Sequence, residues 1–266
     1  MKRVSLLSGL IICLFSLISL PVQAEKPTLK FGANGTFKIA QFTDLHLQYK
    51  NPASDITFER ISQVIADEQP DLILLTGDII YGKPGKENFE NILTFLNDKQ
   101  IPFAFVFGNH DDEQGLTRQE LFDLGKPFAN NLSEDLFPEL SGVGNYILMV
   151  KSSTGEKAAA ALYCIDSHAY SSIKNIGGYD YIKTDQINWY KEQSKLLTEQ
   201  NGGTPLPALA FFHIPFPEYA TAISASNSQA YGIKRENVCA PALNSGFFTA
   251  IKECGDIMGT FVGHDH

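Results

Sequence analysis

Short apolar runs alternate with amphipathic stretches through the first half of the chain. Leu72-Ile73-Leu74-Leu75 is uniformly apolar and ends at Thr76-Gly77-Asp78, the pattern of a strand buried on both faces. Phe103 to Phe107 repeats that pattern ahead of Gly108. Between them, Ile92, Phe95 and Leu96 recur at helical spacing and predict a helix over roughly Glu87 to Asp98. Upstream, Ile61, Val64 and Ile65 share one face of a second helix, predicted to start near Asp55 as N-cap and closed by Pro70. Asn34-Gly35 between two β-prone stretches predicts a hairpin joining Leu29–Phe31 to Phe37–Phe42. The resulting order, β-α-β-α-β, implies a mostly parallel sheet covered by helices.

The second half is less regular. Strands are predicted at Tyr146 to Val150, Ala159 to Ile165, Ala208 to Phe212 and Gly259 to Val262, and helices near Thr184 to Gln200 and Asn244 to Glu253. No internal repeat or linker divides the chain, so residues 25–266 read as one domain.

The residues at the strand ends are chemically unusual. In order come Asp44-Leu45-His46, Gly77-Asp78, Gly108-Asn109-His110-Asp111, His213, Gly263-His264 and Asp265-His266. A lone histidine after an apolar strand is ordinarily a satisfied core residue. This whole set, placed where α/β sheets bind ligands, points instead to a metal site. Carboxylate and amide oxygens mixed with imidazole nitrogens, without cysteine, suit two divalent ions such as Mn, Fe or Zn. The chemistry implied is metal-assisted hydrolysis.

The N-terminus and the charge narrow the setting. Lys2 and Arg3 precede an apolar run from Val4 to Leu20, and Pro21-Val22-Gln23-Ala24 ends in small residues, the pattern of a signal peptide cut after Ala24. An uncleaved anchor is the alternative, since the run approaches the roughly 20 residues that span a bilayer. With cleavage, stable membrane insertion is not expected, and the location would be secreted or periplasmic. Losing two of 21 basic residues and none of 30 acidic ones takes the formal charge from -9 to -11. Such a surface repels polyanions and weighs against nucleic acid, leaving a small phosphorylated substrate as the expected partner and the oligomeric state open. Cys164 reads as a buried strand thiol, whereas Cys239 and Cys254 either close a loop or stay reduced. Asn34-Gly35-Thr36 and Asn131-Leu132-Ser133 are glycosylation sequons, relevant only in a eukaryotic secretory pathway.

From Phe37 to the last residue the motifs resemble those of the calcineurin-like metallophosphoesterase superfamily. Phe211-Phe212-His213-Ile214-Pro215-Phe216-Pro217-Glu218 and Val238-Cys239-Ala240-Pro241 to Gly246 most resemble its purple-acid-phosphatase-like branch. The resemblance implies a four-layer α/β/β/α sandwich with two central mixed sheets. It also implies one ion held by Asp44, His46, Asp78 and His266 and a second by Asp78, Asn109, His213 and His264, with Asp78 bridging. A shared water acidified by two cations would attack phosphorus in line. His110 would stabilise the transition state or protonate the leaving oxygen, with Asp111 orienting it.

Some residues depart from that pattern. Tyr81 stands three residues after Asp78, where purple acid phosphatases proper carry an iron-binding tyrosine. Those enzymes lack a histidine at the position of His46, so Tyr81 reads here as a neighbour of the site and both ions as divalent. Chains of this family usually continue past the Gly-His-Asp-His signal, so the sequence looks truncated and C-terminal strands are expected to be missing. His168 reads as a surface-loop residue, Tyr179, Tyr181, Trp189 and Tyr190 as packing, and Glu218 as a weak neighbour of the site. Phosphate monoesters are the favoured substrates. A phosphodiesterase or nuclease would draw on Lys174, Lys183, Lys234 and Arg235, and a non-catalytic metal-binding fragment is the remaining alternative.

Overall fold

The computed structural model describes residues 26–266. The signal-peptide reading and its cleavage after Ala24 lie outside the described residues. Within them, no helix is long and apolar enough to cross a membrane.

Two sheets and their helices account for the fold. β1 (Ile39–Phe42), β2 (Leu72–Thr76) and β3 (Phe103–Val106) pair in parallel in that order. α1 (Pro52–Glu68) and α2 (Gly85–Asp98) are the crossovers between them, and α3 (Arg118–Gly125) comes next. The second sheet runs β4 (Tyr146–Lys151), β5 (Ala158–Cys164), β6 (Ala208–Phe211) and β7 (Ile257–Phe261). Its first pair is antiparallel and the other two are parallel. α4 (Thr184–Gln200), α5 (Glu218–Ser224) and α6 (Phe247–Cys254) connect this half.

Three apolar cores separate four layers. Ile61 of α1, Phe89 and Ile92 of α2 and Leu121 of α3 pack on Ile73, Leu75, Phe103 and Phe105. Leu72, Leu74, Ala104 and Val106 turn the other way and meet Tyr146, Leu148, Leu162 and Phe211 between the sheets. Tyr163 and Ala210 face outward onto Trp189 and Tyr190 of α4 and Phe247 of α6. Because β2 and β3 are buried from both sides along their whole length, those strands read as unbroken apolar runs.

Some local expectations change. The turn at Asn34-Gly35 forms, closed by Gly32 N–H to Thr36 O at 2.8 Å. It does not make the expected hairpin, because Phe31 N–H donates to Lys151 O and Lys151 N–H to Leu29 O, both at 2.9 Å. The segment before the turn therefore joins the second sheet while β1 joins the first, which lets Leu29 reach the inter-sheet core. α1 is capped by Asn51, whose side chain accepts from Ala53 N–H, with Pro52 in the first turn. Asp55 falls inside that turn, where the helix dipole favours a carboxylate. Cys164, Cys239 and Cys254 are free thiols, so the loop-closing pair does not form. Asn131 is buried, with its amide bonded to Gly125 O at 2.9 Å, so the second sequon sits inside the fold.

Candidate functional site

Each motif sits just past the carboxyl end of a strand, and backbone hydrogen bonds lock the loops to one another. Asp44 N–H donates to Gly77 O, His46 N–H to Asp78 O and Gly263 N–H to His213 O, each at 3.0 Å. Across the two sheets, His264 N–H reaches the Asp44 carboxylate at 2.9 Å. The ends of β1, β2, β6 and β7 thus become one surface.

Asp44, His46, Asp78 and His264 all adopt left-handed backbone, with φ of 52, 44, 49 and 79°. For residues with a side chain such conformations cost of order 1–3 kcal/mol each, and they concentrate at functional sites. Close approach adds a second constraint. A Cβ on Gly108 would lie 2.2 Å from Asp78 Oδ1, and one on Gly263 would lie 1.9 Å from Thr43 Oγ1 and 2.6 Å from Asp44 Oδ2. Gly263→Ala is expected to displace Thr43 and Asp44 and to lower stability by about 1–3 kcal/mol, the usual cost of overpacking. Urea denaturation measures this, and an unchanged midpoint would contradict the close approach.

Three groups of side chains offer ligand atoms within 4.8 Å of one another: Asp44 with His46 and His266, His46 with Asp78 and His110, and Asp78 with His213 and His264. Asp78 Oδ2 lies 3.3 Å from both His46 Nε2 and His213 Nε2. Asn109 Oδ1 stands 3.2 Å from the same His213 nitrogen. His266 Nε2 is 3.5 Å from Asp44 Oδ1. The structure therefore gathers the side chains the sequence singled out, with the exception of Asp111.

The donor set fits a cation. His213 Nδ1 donates to Thr76 O at 2.8 Å, which leaves Nε2 facing the oxygens of Asp78 and Asn109. Three acceptors converging in this way suit a bound cation. Burial pulls the His213 pKa down, yet the hydrogen bond and charge of Asp78 prevail and raise it. The same carboxylate, through its hydrogen bond, raises His46. Burial works against the Asp78 charge, but bonds from His213 and His46 hold its pKa far below the carboxylate range. His264 behaves oppositely: burial and the nearby His213 lower it, and its buried Nε2 has no hydrogen-bond partner. A neutral, orphaned imidazole nitrogen is what a metal ligand requires.

Asp111 plays a different part from the one expected. One carboxylate oxygen accepts from Ile79 N–H at 2.7 Å and Ile80 N–H at 3.0 Å, and the other from Gly108 N–H at 2.7 Å. It staples the loop after β2 to the loop after β3 and does not touch His110. Burial and the Asp78 charge push its pKa up to about 6. Glu113, from the 3-10 turn Asp111–Gln114, takes the His110 contact instead, at 2.7 Å from Nδ1.

The site has neighbours that sequence reasoning missed or placed elsewhere. Tyr81 packs its ring against His46 and His110, with centroids at 5.6 and 5.3 Å, as expected of a neighbour. Tyr179 is not core packing: its ring meets His264 edge-on at 4.1 Å and stacks with Tyr170. Tyr170 also brings its hydroxyl 3.3 Å from Asn109 Nδ2. Trp189 and Tyr190 are buried as expected. Ser167 Oγ accepts from both His213 N–H and Ile214 N–H, holding the loop after β6. His168 lies in the loop after β5, half-buried and bonded to Gln186 at 2.9 Å. Glu218 opens α5 and accepts from the Asn244 side chain at 2.7 Å. Lys183 pairs with Asp180 over the Tyr181 ring, and Lys234 bonds to Glu236 O. The one signal for the Ser167 contact is its place, with Asp166, directly after a buried strand.

Known proteins resemble this chain in sequence and in fold. "Probable inactive purple acid phosphatase 29" of Arabidopsis thaliana is 36% identical over 278 residues, covering 93% of this chain and 71% of that protein. "Phosphatase DCR2" of Saccharomyces cerevisiae is 32% identical over 274 residues, which are 92% of this chain and 46% of the yeast protein. The crystal structure of a dimetal phosphatase from Danio rerio superposes with a TM-score of 0.60 at 11% identity, over 86% of this chain and 82% of that one, a likeness of fold. The family model for calcineurin-like phosphoesterases matches residues 37–266, and the chain belongs to that family.

Proposed function

We propose that the protein hydrolyses phosphate esters with two divalent ions, one held by Asp44, His46, Asp78 and His266 and the other by Asp78, Asn109, His213 and His264. The observation that carries this reading is the convergence of His46 and His213 on the Asp78 carboxylate, with Asn109 Oδ1 facing the same His213 nitrogen and the partnerless Nε2 of His264 nearby. Only a carboxylate offers two charged oxygens able to serve two cations roughly 3.5–4 Å apart. Asn109 adds a neutral oxygen, which limits the negative charge. Bound there, divalent ions supply Lewis acidity toward the phosphoryl group and acidify an attacking water.

The chain's own residues do the rest. Asp78 Oδ1 accepts from His110 N–H at 2.8 Å, fixing the position of His110 beside the ligand groups. Its imidazole then protonates the leaving oxygen as the P–O bond breaks. Small phosphorylated compounds, monoesters first, are the proposed substrates, and export through cleavage after Ala24 is the proposed route to a secreted or periplasmic location.

The names of two relatives favour opposite readings. "Phosphatase DCR2" supports catalysis, whereas "Probable inactive purple acid phosphatase 29" supports a metal-binding protein without turnover. Hydrolysis of p-nitrophenyl phosphate and bis-p-nitrophenyl phosphate with Mn2+, with and without chelator, separates them. The expected result is a chelator-sensitive rate that is higher on the monoester. Bound metal with no turnover of either ester would favour the non-catalytic reading.

A further inference from the structure

The His110 ring is held from several sides. Tyr81 stands perpendicular to it at 5.3 Å between centroids, and His46 at 5.6 Å. Glu113 Oε2 takes its Nδ1 at 2.7 Å, while the other oxygen of the same carboxylate accepts from the Tyr170 hydroxyl at 3.1 Å. That hydroxyl in turn accepts from Asn109 Nδ2 at 3.3 Å. Four residues thus form one chain, Asn109–Tyr170–Glu113–His110, running from a ligand position to the proposed proton donor. Asp111, next to His110 in sequence, has both oxygens committed to backbone N–H groups.

We propose that Glu113, anchored by the Tyr170 hydroxyl, is the positioning residue for His110 and sets which of its ring nitrogens faces the substrate. The inference rests on the phosphoesterase reading above. A neutral imidazole has a single N–H, and a carboxylate accepting from Nδ1 places the proton there. Nε2 is then the nitrogen left to meet the substrate. In the charged ring the Nε2–H proton passes to the leaving oxygen as that oxygen takes the electron pair of the breaking P–O bond, and the ring returns to the Nδ1–H form that Glu113 favours. Tyr170 and Tyr179 stack on each other at 5.7 Å, so the segment that carries them holds the anchoring hydroxyl over the site.

Two readouts test this on the Zn2+-loaded protein, which is diamagnetic. Long-range 1H–15N spectra of the His110 ring should show the Nδ1–H tautomer in the unsubstituted protein and a shift toward Nε2–H in Glu113→Ala. Glu113→Gln, whose amide oxygen still accepts, should restore the first pattern. Kinetically, Glu113→Ala should lower kcat on an alkyl phosphate by about 10²-fold at unchanged KM, since that leaving group needs a proton. On p-nitrophenyl phosphate, whose leaving group needs none, the loss should stay below about 10-fold. Tyr170→Phe should move both readouts in the same direction by less. An unchanged tautomer in Glu113→Ala, or equal losses on the two esters, overturns the proposal. If the unsubstituted protein hydrolyses neither ester, the phosphoesterase reading fails, and the spectra alone decide whether Glu113 sets the ring.

Discussion

Asp78→Asn is expected to abolish binding of both divalent ions and to lower ester hydrolysis by more than about 10²-fold, while leaving the fold intact. The bound on the rate comes from the losses of about 10–100-fold seen when mere supports of metal ligands are removed. The change is isosteric, and the amide oxygen can still accept the His110 N–H now held by Oδ1. What disappears is the charge and the second oxygen, which His46 and His213 now share at 3.3 Å each. An asparagine nitrogen there carries protons toward the space a cation would fill. Equilibrium dialysis with Mn2+ followed by elemental analysis counts the ions, and circular dichroism checks the fold. A variant that keeps two ions and its rate would remove Asp78 from the bridging role.

Much of this site was legible because its chemistry is written at strand ends. β2 and β3 announce themselves as apolar runs, and the residue that terminates each run is already at the sheet edge where ligands collect. α4 matches its expected span because Thr184–Gln200 is long enough for its period to show. α3 and α5, with eight and seven residues, lie outside the expected elements, whereas α6, as short as α3, falls within the stretch expected from Asn244 to Glu253.

The contact to His110 differs from the expected one for a geometric reason. Adjacent residues in a tight helical turn point in different directions, whereas positions three apart eclipse, so Glu113 reaches His110 and Asp111 does not. Contacts across long loops left no local trace at all. Tyr170 is 57 residues from Glu113 and 61 from Asn109, and nothing in the sequence around Tyr179 marks it as the neighbour of His264. The strained backbones of Asp44, His46, Asp78 and His264 have no local explanation either, and their cost must be met by something rigid beneath them.

Arg118 is a large part of that rigidity. At the start of α3, its guanidinium bonds to Asp166 at 2.9 Å, to Gly108 O at 2.7 Å and, through Nε at 3.4 Å, to Asp112. It packs over the Phe107 ring as well. The group thus joins the loop after β3 to the segment after β5, one sheet to the other. Burial lowers its pKa, but Asp166 and Asp112 outweigh that and raise it, so the cation is secure. Arg118→Met should leave the fully buried Asp166 carboxylate without its partner and cost about 3–5 kcal/mol, the usual penalty for breaking a buried pair. In a domain of this size that lowers Tm by about 6–20 °C. Adding Asp166→Asn removes the stranded charge and should recover part of the loss, although Val143 and His168 N–H would then share a weaker acceptor. Because Gly108 O also loses its donor, metal affinity should fall by about 10–100-fold even at temperatures where the variant is folded. Calorimetry on both variants, beside Mn2+ titrations, measures the two effects separately. A single variant that loses less than about 1 kcal/mol would show that the strained site is braced by something other than this ion pair.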